Sequence, residues 1–447
     1  MSKNSASIGT EYSFFKVTWF RAWFPALPFL AYWLLTFLLY EYGPLINPSL
    51  SLTTYFYLFV CMLLFLFGYM RGLKFRKTIL IEPHPENVIL VNNYVRKLMR
   101  FLSPLSFLGT LGFVIDRIIS GAGSFAKTIY ETQYVRTDEL STTFLTTISV
   151  LPYSFSLIAI TLYFYCYAMH WRISRISSIC FWGIIVALCL NAFLSANRGN
   201  IFWILIYILF WFYFVQGESS SRLLRDRAYR YLRIVLLFFL VLFVSYSFFI
   251  SRNRNTELFL NYEAQRYSMI DRYGLFATNI DPLNLAAGLQ LATYGTHQYE
   301  FIDVFVMNSE PFAFHPSMLA GGRILDQIKR FDSEYVPEAS EVAKEWISLA
   351  GLPPFAWPSI FGWLLVLFGY IGAPTFMLIL GLVYSSFVGH FLRHFDAASL
   401  ILIFCMFAAL NMSFNWIGGD FTNNMGYLVG SFLLIKTRKK LKAYGFI

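Results

Sequence analysis

Apolar runs long enough to cross a bilayer recur along the whole chain, and that feature removes most soluble folds from consideration. A helix needs about 20 apolar residues to span the hydrocarbon core. The clearest stretch is SICFWGIIVALCLNAFL, then SANRGN (195–200), then IFWILIYILFWFYFV. Only 13% of the residues are charged and 57% are hydrophobic, against roughly 25% charged in an ordinary soluble domain. The chain therefore reads as a polytopic helical membrane protein of the all-α class. A membrane β-barrel would show short alternating segments instead.

Hydropathy predicts ten crossings, at 18–40, 53–70, 98–116, 144–169, 178–196, 201–216, 234–250, 372–391, 397–413 and 423–437. An eleventh, re-entrant or outer-leaflet helix is expected near 357–370, because GYIGAP interrupts an apolar run too long for one crossing; one long kinked span over 357–391 is the alternative. The organisation is then an N-terminal membrane region of seven helices (1–250), a large outer loop (251–356) and a C-terminal membrane region with a basic tail (357–447). No cleavable leader is expected, since Lys3 and Lys16 precede a full-length span.

Charge sets the orientation. The stretch 71–100 carries seven Lys/Arg, ESSSRLLRDRAYRYLR carries five arginines, and the tail KTRKKLKAYGFI carries five Lys/Arg. The intervening EYGPLINPSLSL and NWIGGDFTNN carry none. By the positive-inside rule the basic loops 71–97 and 217–233 and both termini are cytoplasmic. The net charge of +10 is thus a topology signal and gives no reason to expect nucleic acid as a partner. Between its two basic clusters, ILIEPHPENVILVNNYV reads as a short extended segment or hairpin. The aromatics, 20% of the chain, suit lipid-facing bulk and interfacial belts, with sugar stacking in the outer loops as the functional alternative.

The same parity places SANRGN outside. Orientation does not explain Arg198, since a positive-inside charge would sit at the other end of its helices. Gly199 suits a helix C′ position and Asn200 a following cap, which accounts for two of the residues but not the arginine. An arginine snorkelling to lipid phosphate is the plain reading; a bound anion is the functional one.

No Walker A loop, GxGxxG, HExxH, DxD or cysteine pair occurs, and the five cysteines all fall in expected spans. The first outer loop offers only Glu41, so neither a metal nor another cofactor is expected. Guanidinium groups bind phosphate oxygens bidentately and, without a metal, can hold a lipid diphosphate and stabilise it as a leaving group. Arg198 with some of Arg252, Arg254, Arg266, Arg272 and Arg323 could form such a clamp. A sugar hydroxyl attacking an anomeric carbon needs a base. The outer loop offers His297, His315 and the carboxylates Glu263, Asp271, Asp281, Glu300, Asp303 and Glu310, with His315, in EPFAFHPSMLAGGR, the favoured base.

Together, the span and turn SANRGNIFWILIY, the large outer loop containing ATYGTHQYEFIDVFVMNSEPFAF, and the later IFGWLLVLFGYIGA resemble the Wzy-type O-antigen or oligosaccharide repeat-unit polymerases. The likeness covers most of residues 180–390. It implies a GT-C-like, metal-independent glycosyltransferase of the bacterial inner membrane, with its site facing the periplasm. Its substrates would be undecaprenyl-diphosphate-linked oligosaccharides, with membrane lipids around it and a chain-length regulator protein as a further partner. On this likeness Arg198 binds diphosphate, with Arg252 or Arg254 as a second ligand. Two other readings are an O-antigen ligase, acting on lipid A-core, and a polysaccharide flippase. The second predicts charge inside the spans, whereas here it concentrates outside.

Overall fold

The computed structural model describes residues 22–43, 47–74, 85–119, 155–168, 172–194, 240–249, 298–307, 359–394 and 397–411, with isolated helical positions between them. Among these residues all regular structure is helical. In chain order the helices are α1 (Leu27–Tyr42), α2 (Leu52–Lys74), α3 (Pro85–Ile119), α4 (Ser156–Ala168), α5 (Arg175–Leu194) and α6 (Leu240–Phe249). They continue with α7 (298–307), α8 (Ile360–His394) and α9 (Ala397–Asn411). Among the described residues three stretches, Leu52–Leu73, Val95–Asp116 and Leu367–Leu392, are long and apolar enough to cross a membrane.

The bundle is organised around α2 and α8. One face of α2 buries Tyr57, Cys61, Phe65 and Tyr69, at the four-residue spacing that stacks side chains on a helix. The opposite face leaves Leu52, Phe56, Phe59, Leu63, Phe67 and Met70 at least 40% exposed. That apolar stripe runs about 27 Å at 1.5 Å per residue, close to the ~30 Å of a hydrocarbon core. A stripe of this length and composition facing outward is stable in lipid and costly in water.

The two helices run parallel: Tyr57 Oη donates to Phe361 O (2.7 Å), while further along Tyr69 meets Tyr384 (5.7 Å between rings). Gly68 and Gly72 of α2 lie against Leu378, Leu382 and Ser385, and Gly381 lies against Phe65 and Tyr69. Small residues four apart on each helix let the backbones touch, the usual way helices gain contact where lipid competes for apolar surface. Around this pair, α9 packs on α8, α4 and α1, and α3 packs on α4 and α5. A smaller cluster joins α4 to α5, with Tyr163 stacked on Phe181 at 3.7 Å.

Three local findings refine the expected elements. Of ILIEPHPENVILVNNYV, expected as an extended segment or hairpin, the part from Pro85 onward belongs to α3 and is helical. The run VILV has strand-like composition, but proline in a first turn favours a helix start. The first apolar run is broken by a turn at 24–26, where Pro25 removes a donor. The backbone at and before the turn is held by Tyr384 Oη donating to Pro25 O (3.0 Å) and Tyr69 Oη donating to Ala22 O (2.8 Å).

The third finding concerns GYIGAP. α8 is two helices meeting at Gly369, with φ 67° and ψ −174°, a conformation open essentially to glycine alone. Pro374 is accommodated within the helix. The break therefore lies at the glycine and not at the proline. A Cβ at 369 would meet nothing within 4 Å, so backbone strain alone decides the outcome of substitution. Gly369→Ala is expected to cost about 1–3 kcal/mol, read as a lowered Tm in detergent; an unchanged Tm would show that the kink has another cause.

The crossings expected at 201–216 and 423–437, apart from Phe210 and Phe214, and the loops 117–143, 217–233 and 415–424, fall outside the described residues, save Arg117 to Ile119 at the end of α3.

Candidate functional site

Arg198, Arg252, Arg254, Arg266, Arg272, Arg323 and His315 all fall outside the described residues, as do Gly199, Asn200, His297, Glu263, Asp271, Asp281 and Glu310. What the structure fixes is the framework from which those segments leave. α5 ends at Leu194, immediately before SANRGN. In its last turn Phe193 packs edge-on against Tyr246 of α6 (4.7 Å, 67°), and Tyr246 Oη reaches Phe193 O at 3.5 Å. α6 ends at Phe249, just before Arg252 and Arg254 in the sequence. The helix ends preceding the two leading arginine segments are thus held together. Beside Tyr246, the Ser247 hydroxyl is buried with no hydrogen-bond partner among the described residues.

A second constellation forms where α1 and α2 meet. Asn47 Nδ2 donates to Tyr40 O (2.7 Å) and Tyr40 Oη donates to Pro48 O (2.6 Å), folding the connection back over the end of α1. Tyr55 Oη donates to Glu41 Oε1 (2.6 Å). Ser51 caps α2 through its Oγ, which accepts the Thr54 N–H at 3.2 Å. This is the ordinary N-cap arrangement of a serine.

Into this end comes α7, from within the stretch read as outer loop. Its QYEFIDVFVM is too short and too polar for a crossing, yet Tyr299, Phe301, Ile302, Phe305 and Val306 join the main core. Tyr299 stands among Trp33, Phe37 and Tyr40 at ring distances of 5.6, 5.8 and 5.3 Å. Its Oη donates to Trp33 O (2.8 Å) and shares a hydrogen bond with Thr36 Oγ1 (3.0 Å). Burial pushes the Tyr299 phenol well above its ordinary value, with the Thr36 contact opposing, so it remains a neutral donor. Asp303 Oδ1 accepts from the Ser51 N–H (2.9 Å) and from Thr54 Oγ1 (2.6 Å).

The isolated Glu41 of the sequence therefore gains company. Glu41, Glu300 and Asp303 all lie near enough to the Tyr40 hydroxyl to interact with it electrostatically. Sequence spacing gave no sign of this, since Glu300 and Asp303 come from more than two hundred residues away. Among the described residues no three of His, Cys, Asp and Glu converge to hold a metal ion. Asp303 Oδ1 is committed to α2, which makes it a poor general base; the acidic character of this end also opposes an anionic head group there. Alongside, a groove of about 540 Å³ opens between Leu52, Thr53, Tyr55, Phe56 and Phe59.

Comparison with family models, with curated proteins and with solved structures finds no match for the chain.

Proposed function

We propose that this membrane protein is a metal-independent glycosyltransferase that joins lipid-linked oligosaccharide repeat units, in the manner of the Wzy-type polymerases its sequence resembles. In this reading ten crossings form a GT-C-like bundle in a bacterial inner membrane, with both termini cytoplasmic and the site on the periplasmic side. A sugar hydroxyl of one undecaprenyl-diphosphate-linked unit attacks the anomeric carbon of the other glycan. The new C–O bond forms as the bond to the diphosphate breaks, and a base such as His315 takes the hydroxyl proton. Arg198, with Arg252 or Arg254, holds the departing diphosphate.

The observation that carries the reading is the Phe193–Tyr246 contact. It gathers the ends of α5 and α6, from which the SANRGN turn and the arginine-bearing start of the large loop depart. A diphosphate carries more charge than one arginine offsets, so a clamp needs two cationic segments leaving from one place. The α1–α2 end lies on the same outer face in this reading, and its acidic groups repel a diphosphate, which favours the arginine segments as the place that holds one.

Purified protein in liposomes, given only a lipid-linked repeat unit, is expected to produce a ladder of longer glycans, and EDTA should leave the rate unchanged. Strict dependence on a lipid A-core acceptor would replace the polymerase reading with a ligase. Loss of activity with EDTA and its return with magnesium would remove the metal-free mechanism.

A further inference from the structure

We propose that Asp303 is a positioning residue that ties the large outer loop to the membrane bundle, fixing where the loop segment after α7 begins. The inference rests on the proposed function only in taking that loop as the one facing substrate.

The geometry separates this role from simple capping. α2 already carries its own cap in Ser51, whose Oγ accepts the Thr54 N–H. Asp303 adds a carboxylate from 252 residues away, accepting the Ser51 N–H and the Thr54 hydroxyl through one oxygen. A negative charge at a helix N-terminus is stabilising, and hydrogen bonds to a charged acceptor are stronger than neutral ones. Removing Asp303 leaves the local cap of α2 intact but releases α7 from it.

Three successive turns of α7 grip three different elements. Tyr299 hydrogen-bonds to α1 at Trp33 and Thr36, Asp303 to the start of α2, and the Val306 carbonyl accepts from Tyr370 Oη of α8, next to the Gly369 break. Of these, Tyr299 is buried in the core, whereas Asp303 is only partly covered. Loss of Asp303 should therefore loosen α7 without unfolding the bundle. His315 and Arg323 come eight and sixteen residues after the end of α7 in the sequence, so the direction in which α7 ends sets the origin of the segment that carries them.

The test uses the full chain in lipid nanodiscs, comparing Asp303→Ala and Asp303→Asn with the wild type. Asparagine keeps the acceptor oxygen and loses the charge. In Asp303→Ala, amide hydrogen exchange across 298–307 should rise about 10- to 100-fold, the range given by losing charge-assisted hydrogen bonds. Exchange at 55–62 should stay at the wild-type level, and Asp303→Asn, which keeps an acceptor but not the charge, should restore part of the protection. In the liposome assay, Asp303→Ala should lower kcat/KM for lengthening at least tenfold, with Asp303→Asn recovering part of it. Unchanged exchange at 298–307 overturns the tie, as does an equal rise at 55–62, which marks general destabilisation. Loosened exchange with undiminished lengthening overturns the positioning role. If the wild type lengthens no lipid-linked glycan, the proposed function fails, and the exchange comparison still decides whether Asp303 holds α7.

Discussion

Arg198→Ala is expected to abolish glycan lengthening while leaving the amount of folded protein in the membrane unchanged. In the proposed reaction the departing diphosphate gains negative charge as the glycosidic bond breaks, and a cation held against it acts mainly in the transition state. Removing one such preorganised donor from an enzyme typically costs about 2.7–4 kcal/mol, or 100- to 1,000-fold in kcat. Arg198→Lys should recover only part of the rate, because an ammonium keeps the charge but not the planar two-pronged fork. The readout is the glycan ladder from cells alongside single-turnover rates in liposomes. Ordinary long chains from the alanine variant would mean that Arg198 only meets lipid phosphate. A variant that disappears from the membrane would instead assign it a structural role at the end of α5.

The fold was most legible where the signal was local. α2 is a 23-residue helix whose apolar length fixes it regardless of neighbours, and α5 and α9 start within three residues of the positions hydropathy gives them. The break in α8 was legible too, since a glycine between two apolar runs has few other uses. Its location at Gly369 and not at Pro374 depends on backbone geometry that composition does not carry. ILIEPHPENVILVNNYV suggests an extended segment or hairpin because valine and isoleucine suit strands, while from Pro85 onward continuity with the following span decides for helix.

α7 shows the limit most clearly. Nothing within QYEFIDVFVM says that Tyr299 will be buried, because its partner Thr36 lies 263 residues away. Pairing at that distance leaves no period or spacing to read. The same holds for Asp303 and Ser51, so a carboxylate that looked like one more loop acid is bound into the framework. The arginines were legible only as a residue type, and they fall outside the described residues. The Phe193–Tyr246 contact between the helices that precede Arg198 and Arg252 in the sequence needed the fold.

A second large effect is expected at the seam between α2 and α8. Gly68 and Gly72 form a GxxxG pattern, and Gly381 with Ser385 supplies the matching small residues on α8. A Cβ on Gly68 would overlap Leu378 O and stand 3.1 Å from Leu382 N; one on Gly381 would overlap Phe65 O and stand 2.9 Å from Tyr69 N. These neighbours are backbone atoms, which cannot turn aside as a flexible side chain can. Relief requires separating the two helices, and with them the Tyr57–Phe361 and Tyr69–Tyr384 contacts. Overpacking by small groups costs about 1–3 kcal/mol, so Gly68→Ala alone should lower the Tm clearly. Gly68→Ile adds three more carbons at the same place and should prevent assembly of the bundle, seen as loss of the monodisperse peak in detergent. Gly389→Ala on α8 is the matched control: a Cβ there meets nothing within 4 Å, and alanine is the better helix former by about 1 kcal/mol. That variant should be as stable as the wild type or slightly more so. If Gly68→Ile and Gly389→Ala behaved alike, the close approach of α2 and α8 would not be what holds the bundle together.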